Sequence, residues 1–179
     1  MAQELVWLDL EMTGLDPKRH RIIEIATIIT DSDLNVIAEG PDLVIHAHDK
    51  ILERMNDYVH EMHYRSGLLD DVRKSKITIE EAENQTLDFI NEHLGTKYRP
   101  PLCGNSIGTD RRFLDAQMNT LERRLHYRVV DVSSIKELAM RWNPEIDAKM
   151  SPKMETHRAL DDIIESIEEL KFYRENLFK

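Results

Sequence analysis

RIIEIATIIT (residues 21–30) decides the fold, because this run of β-branched and other apolar residues is typical of a strand in a sheet core. A second short apolar run covers residues 5–10. Asp31-Ser32-Asp33 is a turn signal, after which residues 35–46 offer a third strand around Gly40-Pro41. Three strands joined by short connections predict an antiparallel meander in the first half of the chain.

The rest of the chain is predicted to be mostly helical. Apolar residues at helical spacing indicate a helix over residues 49–61. Thr78 followed by Glu81 is a capping box, which begins a helix that ends at Leu94. The other predicted elements are strands at residues 101–104 and 128–132, a helix from Ser133 or Ser134 to Trp142, a loop over residues 143–153 and a last helix over residues 155–176.

Length and composition predict one soluble domain. A chain of 179 residues suits a single core, and 41% apolar with 32% charged residues excludes disorder and fibrous repeats. No apolar run reaches the roughly 20 residues of a membrane span. The single cysteine, Cys103, excludes an intramolecular disulfide framework, and the N-terminal apolar stretch contains acids, unlike a signal peptide. We therefore expect a cytoplasmic protein with no membrane partner.

The charge balance argues against binding to long duplex nucleic acid. Lys and Arg number 24 and Asp and Glu number 34, which gives a net charge of −10. Proteins that grip long duplexes carry a basic stripe, because phosphate neutralisation supplies most of their affinity. Here the basic residues form only short clusters. An acidic surplus fits a protein that collects carboxylates around divalent cations, which prefer oxygen ligands.

Asp9 and Glu11 interrupt the first apolar strand. Residues two apart in a strand point to the same face, so both carboxylates are expected side by side. Burying two like charges is costly without compensation, and a bound cation would supply it. The alternative is that this face of the strand is simply exposed to water.

GNSIGTD (residues 104–110) follows a predicted strand and brings Asp110 to a helix start. Its glycines permit close backbone approach, and free N–H groups there could hold a phosphate. The alternative is an ordinary strand-to-helix turn in which Asp110 is favoured by the helix dipole.

HRALDD (residues 157–162) begins the last predicted helix and supplies a His with nearby acids, a combination suited to general base catalysis. If the whole segment is helical, Asp161 shares a face with His157. Asp162 becomes the partner only if His157 lies just outside the regular helix. A surface His with two solvated acids is the alternative.

In this order, the three features resemble the DEDDh family of 3′-to-5′ exonucleases. WLDLEMTGLD (7–16), GNSIGTDRRFL (104–114), HYRVVDVSSIKELAMRW (126–142) and HRALDDIIESIEEL (157–170) closely resemble its oligoribonuclease branch, which degrades very short RNAs. The resemblance implies a ribonuclease H-like α/β fold with a five-stranded mixed sheet flanked by helices. It also implies a single exonuclease domain over residues 1–179, with the motifs within about 5–172.

The same resemblance implies a two-metal-ion mechanism with a His general base. His157 matches the base, and the family's H-x-x-x-x-D pattern selects Asp162 over Asp161. Two divalent cations, Mg²⁺ or Mn²⁺, suit an all-oxygen site. The positions that match the metal ligands are Asp9, Glu11, Asp110 and Asp162.

Oligoribonucleases restrict substrate length by enclosing the 5′ end of short single-stranded RNA, and they act as homodimers. By resemblance, Tyr127 reaches the catalytic site of the second subunit. Tyr58 stands where many relatives have tryptophan, and a core-covering aromatic on an amphipathic helix is its other interpretation. The positions that match the 5′-end pocket are Leu15, Tyr58, His63, Ser106, Arg128 and Ser133.

Three other functions remain open from the sequence. A zinc hydrolase is one, since His46 with His48 and His60 with His63 have metal-like spacings, although HEMH (60–63) is one residue short of the H-E-x-x-H motif. A non-catalytic binding module is another, and the intact acid set argues against it. A DNA-trimming exonuclease with the same acids is the third.

Overall fold

The computed structural model describes residues 4–150 and 156–178. Its centre is a five-stranded mixed sheet with helices on both faces, as predicted. The strand order is β3-β2-β1-β4-β5, in which β1, β2 and β3 form an antiparallel meander and β4 and β5 run parallel to β1. The strands are β1 (Leu5–Met12), β2 (Ile22–Thr30), β3 (Val36–Val44), β4 (Leu102–Gly104) and β5 (Val129–Asp131).

The described helices are mostly short. None of them combines the length and apolar character that crossing a bilayer requires. They are α1 (Asp49–Leu52), α2 (Asp57–Arg65), α3 (Leu68–Lys74), α4 (Ile79–Leu94), α5 (Gly108–Gln117), α6 (Asn119–Arg124), α7 (Val132–Trp142), α8 (Pro144–Asp147) and α9 (Ala159–Leu177).

The single helix predicted over residues 49–61 was wrong, because the chain breaks there into α1 and α2. Asn56 causes the break: its side chain accepts a hydrogen bond from the Val59 N–H at 2.9 Å and caps a new helix. The apolar spacing continues across the break, so periodicity did not reveal it. Helices α3 and α6 were not predicted either.

Three predicted helix boundaries are corrected. Helix α7 is capped by Asp131 rather than by Ser133 or Ser134, since the Asp131 carboxylate accepts from the Ser133 N–H. The predicted loop over 143–153 contains the one-turn helix α8, which Pro144 begins, and residues 151–153 lie outside the described part. Helix α9 begins at Ala159, whereas the predicted start at Glu155 lies outside the described residues. The capping box of α4 is confirmed.

Each face of the sheet packs against its own set of helices. Helices α4, α5 and α6 cover one face, where Leu8 and Leu10 of β1 meet Phe113 and Leu121. Helices α7 and α9 cover the other face, where Trp7 of β1 is fully buried. Asp9 and Glu11 follow Trp7 at intervals of two, so the pleat directs them to the face that α9 covers.

Gly14 is required in the loop that joins β1 to β2. Its φ is +152°, and a Cβ there would lie 2.6 Å from Cε1 of the His20 ring. That ring is itself held, because its Nδ1 accepts a hydrogen bond from the Asp16 N–H at 3.0 Å. The loop carries Leu15 on its outside, so the glycine fixes the position of this exposed side chain.

We predict that Gly14→Ala lowers the free energy of unfolding by more than about 1 kcal/mol, because the side chain clashes with His20 and the backbone angle disfavours it. Chemical denaturation measures the change. Gly108→Ala is the control: its Cβ would have no neighbour within 4 Å and its φ is not positive, so stability should hold or rise. Equal losses in both variants would contradict this account of the loop.

Candidate active site

Three carboxylates converge on the face of the sheet that α9 covers. Asp9 and Glu11 come from β1 and Asp162 from the first turn of α9, and one ligand atom from each lies within 4.8 Å of the others. Among residues 4–150 and 156–178, this is the only grouping of three or more His, Cys, Asp or Glu side chains so closely spaced. We call it the acid cluster.

Asp110 approaches the acid cluster from α5 but is not a member of it at that spacing. Its side chain is 5% exposed, and its carboxylate accepts a hydrogen bond from the backbone of Leu10. Its charge is close enough to Asp9 to help raise the pKa of that group. The charge of Asp110 acts on Glu11 as well, so all four carboxylates share one electrostatic environment.

Burial and mutual repulsion raise the pKa values of three of these acids. Burial raises the pKa of Asp9 well above its ordinary value, and the charges of Asp110, Glu11 and Asp162 add to the effect. Burial, followed by the charge of Asp162, raises the pKa of Glu11 to about 9. Burial also raises the pKa of Asp110 to about 7. A crowded group of carboxylates offers only oxygen ligands, which are the ligands that hard divalent cations prefer. These residues therefore fit such ions.

His157 lies outside the helix that follows it. Its φ is +52°, and Arg158 is the N-cap of α9. This break selects between the two candidate acids: Asp162 joins the acid cluster, whereas Asp161 lies near Asp42. Burial raises the pKa of Asp42 to about 6, and Asp161 contributes to that rise.

Two cavities meet at His157. One has a volume of about 450 Å³ and is lined by His157 together with Asp9, Asp162, Asn105 and Ser106 among others. The second has a volume of about 1040 Å³ and is bounded by α2, including Tyr58, and by residues 156–158. His157 thus separates a chamber containing acids from a wider, open cleft.

Two residues that the sequence did not single out organise the first cavity. Asp131, at the end of β5, accepts from the Ser106 N–H at 3.0 Å, the Ser133 N–H at 3.0 Å and the Ser133 hydroxyl at 2.6 Å. Asn105 donates to Ser166 at 3.0 Å and also to Glu169. Both residues lie inside the quoted motifs. Only their position at the end of a strand, or directly after one, could have indicated a role.

The residues expected at the 5′-end pocket fall into two groups. Leu15, Tyr58 and Tyr127 are 70%, 74% and 72% exposed, so Tyr58 does not cover the core. Arg128 lies against Tyr127, with Nε 3.2 Å from the phenol oxygen. His63, by contrast, is fully buried: its Nε2 lies 2.9 Å from the Met12 carbonyl oxygen and its Nδ1 lies 3.8 Å from Glu11 Oε2. His63 therefore lies beside Glu11, a member of the acid cluster.

The histidines of the zinc alternative do not form a metal site. His46 and His48 contact each other through their rings, whose centroids are 5.0 Å apart, and His60 is exposed while His63 is buried. No grouping of three or more potential ligands within the described residues includes any of them.

Comparison with known proteins agrees with this geometry. The family model for Exonuclease (RNase_T) matches residues 6–170. An oligoribonuclease of Vibrio vulnificus is 55% identical over 177 residues, which cover 99% of this chain and 97% of that protein. An oligoribonuclease of Corynebacterium glutamicum is 53% identical over 174 residues, which cover 97% of this chain and 80% of that protein.

Solved structures of distant sequence share the fold. The nuclease domain of 3′hExo, described as a DEDDh family member bound to rAMP, has a TM-score of 0.63 at 18% identity, covering 98% of this chain and 94% of that one. A zinc-bound complex of Escherichia coli ExoI with single-stranded DNA has a TM-score of 0.75 at 16% identity, covering 99% of this chain and 41% of that one. These matches confirm the ribonuclease H-like fold.

The family model covers most of the chain, and the two relatives match it nearly from end to end at more than half identity. The chain belongs to the oligoribonuclease family of DEDDh 3′-to-5′ exoribonucleases.

Proposed function

We propose that this chain hydrolyses very short single-stranded RNAs to nucleoside monophosphates, with two divalent cations, Mg²⁺ or Mn²⁺, at the acid cluster. The observation that carries the proposal is the convergence of Asp9, Glu11 and Asp162 within 4.8 Å, with Asp110 beside them. The charges of Asp110, Glu11 and Asp162 all act on Asp9, so its carboxylate would help hold both ions. Glu11 and Asp162 would complete one site, and Asp110 would help hold the other ion.

Bound cations would offset the negative charge that develops on the phosphate and on the leaving 3′-oxygen, and would favour ionisation of the attacking water. The chain's own groups do the rest. His157 borders the chamber that contains Asp9 and Asp162, where its imidazole would accept the proton of the attacking water.

The proposed preference for short RNA follows from the net charge of the chain. A net charge of −10 gives no general attraction for a long phosphate backbone. Affinity must come from enclosing the ends of the substrate. Exposed Leu15 would wedge between bases and exposed Tyr58 offers a ring on which a base can stack, while Arg128 with Ser106 and Ser133 would take a 5′-phosphate. Asp131 accepts from the backbone N–H of both serines, which would hold their backbone in place.

We also propose that the active unit is a homodimer in which Tyr127 completes the neighbouring site. Strand β5 is an edge of the sheet, and exposed apolar side chains lie on β5 and α7, the two elements that follow Tyr127 in the chain. An edge strand flanked by exposed apolar residues is suited to pairing with another chain. These side chains are Val129, Leu138, Met140 and Trp142.

A length series of 5′-labelled RNA and DNA with Mg²⁺ tests the function. We predict that the wild type cleaves RNA dinucleotides at least about tenfold faster than 20-mers, because a long substrate gains nothing from end enclosure. Asp162→Asn should lower turnover by at least about a hundredfold, since a metal ligand is lost. Asp161→Asn is the matched control and should stay within about threefold of the wild type, because Asp161 lies near Asp42 and not in the acid cluster.

Equal rates on dinucleotides and 20-mers would overturn the proposed length preference. Wild-type turnover in Asp162→Asn would remove that residue from the metal site, and a severe loss in Asp161→Asn would show that the register of the last motif is wrong. Faster cleavage of DNA than of RNA would favour the DNA-trimming alternative.

The raised pKa values predict how stability depends on pH. Glu11 titrates near 4.5 when unfolded and near 9 in the folded protein, so between these values the folded state binds more protons. The free energy of unfolding of the metal-free protein should therefore fall as pH rises from 5 to 9. Glu11→Gln removes this charge and should stabilise the metal-free protein at pH 8 by at least about 1 kcal/mol.

Thermal unfolding in EDTA and in Mg²⁺ provides the measurement. Mg²⁺ should raise the melting temperature of the wild type at pH 8 and raise that of Glu11→Gln much less. Glu92→Gln, on the exposed side of α4, should keep the full Mg²⁺ response. A Glu11→Gln variant that is less stable than the wild type in EDTA at pH 8 would contradict the charge account.

Complementation tests the shared site. Tyr127→Ala and Asp9→Asn should each be nearly inactive alone, whereas an equal mixture after subunit exchange should recover about a quarter of wild-type activity, because half of the dimers are mixed and each contains one complete site. Mixing Asp9→Asn with Asp110→Asn is the control, since neither chain then has a complete acid set. Proven exchange without recovery in the first mixture would refute the contribution of Tyr127.

A further inference from the structure

Strand β2 contains a single acid, Glu24, whose role the proposed mechanism does not use. The strand is buried along its whole length and Glu24 is 0% exposed. It pairs with Glu11 in the antiparallel register of β1 and β2, so its side chain shares the face that carries the acid cluster. A fifth carboxylate beside four crowded ones demands an explanation, because an uncompensated buried charge is costly.

Arg158 and the start of α9 provide that compensation. Glu24 Oε1 accepts from Arg158 through Nε at 2.8 Å, and the second guanidinium nitrogen, Nη2, lies 2.7 Å away. Glu24 Oε2 accepts from the Ala159 N–H at 3.0 Å. The other side of the guanidinium reaches Asp71 Oδ2 on α3 at 3.1 Å. Glu24 is thus paired with a cation and a helix N–H, which compensate its buried charge.

The two residues that Glu24 holds directly follow His157. His157 has a φ of +52°, an unfavourable angle for a residue with a side chain, which persists only where the surroundings enforce it. A helix cap alone would need only the bond to Ala159. The additional paired contact with Arg158 fixes the residue before Ala159 as well. Asp71 links the Arg158 guanidinium to a second element, helix α3. The backbone leaving His157 is therefore anchored to the central sheet at two successive positions.

We propose that Glu24, acting through Arg158 and Ala159, is a positioning residue that holds His157 at the edge of the acid cluster. The inference rests on the proposed function, in which His157 is the general base. The buried acid of RIIEIATIIT and the Arg of HRALDD then share one role, because together they fix the place from which the imidazole takes a proton.

Glu24→Gln tests the proposal with little change in shape. A glutamine has one acceptor oxygen, so either Arg158 or the Ala159 N–H must face its NH₂ group. We expect kcat on a dinucleotide to fall by about 10- to 100-fold, because small displacements of a catalytic group have effects of this size. KM should change by less than about threefold, and Mn²⁺ binding measured by calorimetry should be retained, since Glu24 is not a metal ligand.

A double-mutant cycle separates positioning from general stability. If Glu24 acts through His157, adding Glu24→Gln to His157→Ala should cause no further loss of kcat. Asp33→Asn is the matched control: it removes an acid-to-arginine contact at the far end of the same helix, where Asp33 Oδ1 lies 2.6 Å from Arg174, and should leave kcat unchanged. Arg158→Lys keeps the charge but loses the paired geometry, and it should show a smaller loss that also disappears without His157.

The outcomes distinguish the two proposals. If His157→Ala is slow but Glu24→Gln turns over like the wild type, the positioning role is overturned and the general base assignment stands. Losses that multiply in the double mutant would also overturn it, because they would show a structural effect independent of His157. If His157→Ala itself kept wild-type turnover, the general base assignment would fail and the positioning role with it. If Glu24→Gln does not fold, the same cycle with Arg158→Lys decides.

Discussion

Mutual repulsion among buried carboxylates on one face of β1 is the constraint around which this molecule is organised. Asp9 and Glu11 project from the central region of the sheet, and Asp110 and Asp162 approach from helices on opposite faces. Each element could pack with apolar residues at these positions at a lower electrostatic cost. We attribute this electrostatic cost to the proposed metal site, and three features of the fold limit it. β1 is hydrogen-bonded on both sides, β2 is fully buried, and Arg158 pairs with Glu24, the acid of β2.

The strand half of the fold could be predicted because its signals are local. Runs of β-branched residues and a strong turn at Asp31 are sufficient to identify a meander, and alternation along β1 places Asp9 and Glu11 together. The resemblance supplied the five-stranded mixed sheet and the choice of Asp162. Composition and spacing alone could not choose between Asp161 and Asp162, since that choice depends on a backbone angle at His157 that periodicity does not encode.

Other features escaped prediction for identifiable physical reasons. Asn56 begins helix α2 without interrupting the apolar spacing, so the start of this helix is marked by one side-chain hydrogen bond and not by periodicity. Glu24 is hidden within an apolar run because its compensating charge is 134 residues away in the sequence. Asp131 acts as an N-cap and as a common acceptor for two serines, and its role becomes visible only when β4 and β5 lie side by side. Sequence patterns indicated core packing better than they indicated long-range pairing of polar groups.

The burial of His63 gives helix α2 a second significance. The helix presents Tyr58 to the open cleft, while His63, five residues later, is buried against the Met12 carbonyl and beside Glu11. One rigid element therefore connects the surface on which a base would stack with a carboxylate of the acid cluster. If a nucleotide shifted α2 and with it Glu11, cation affinity would change, and by linkage cations would then change nucleotide affinity by the same factor. Departure of the product and loosening of the metal site would then be two views of a single equilibrium.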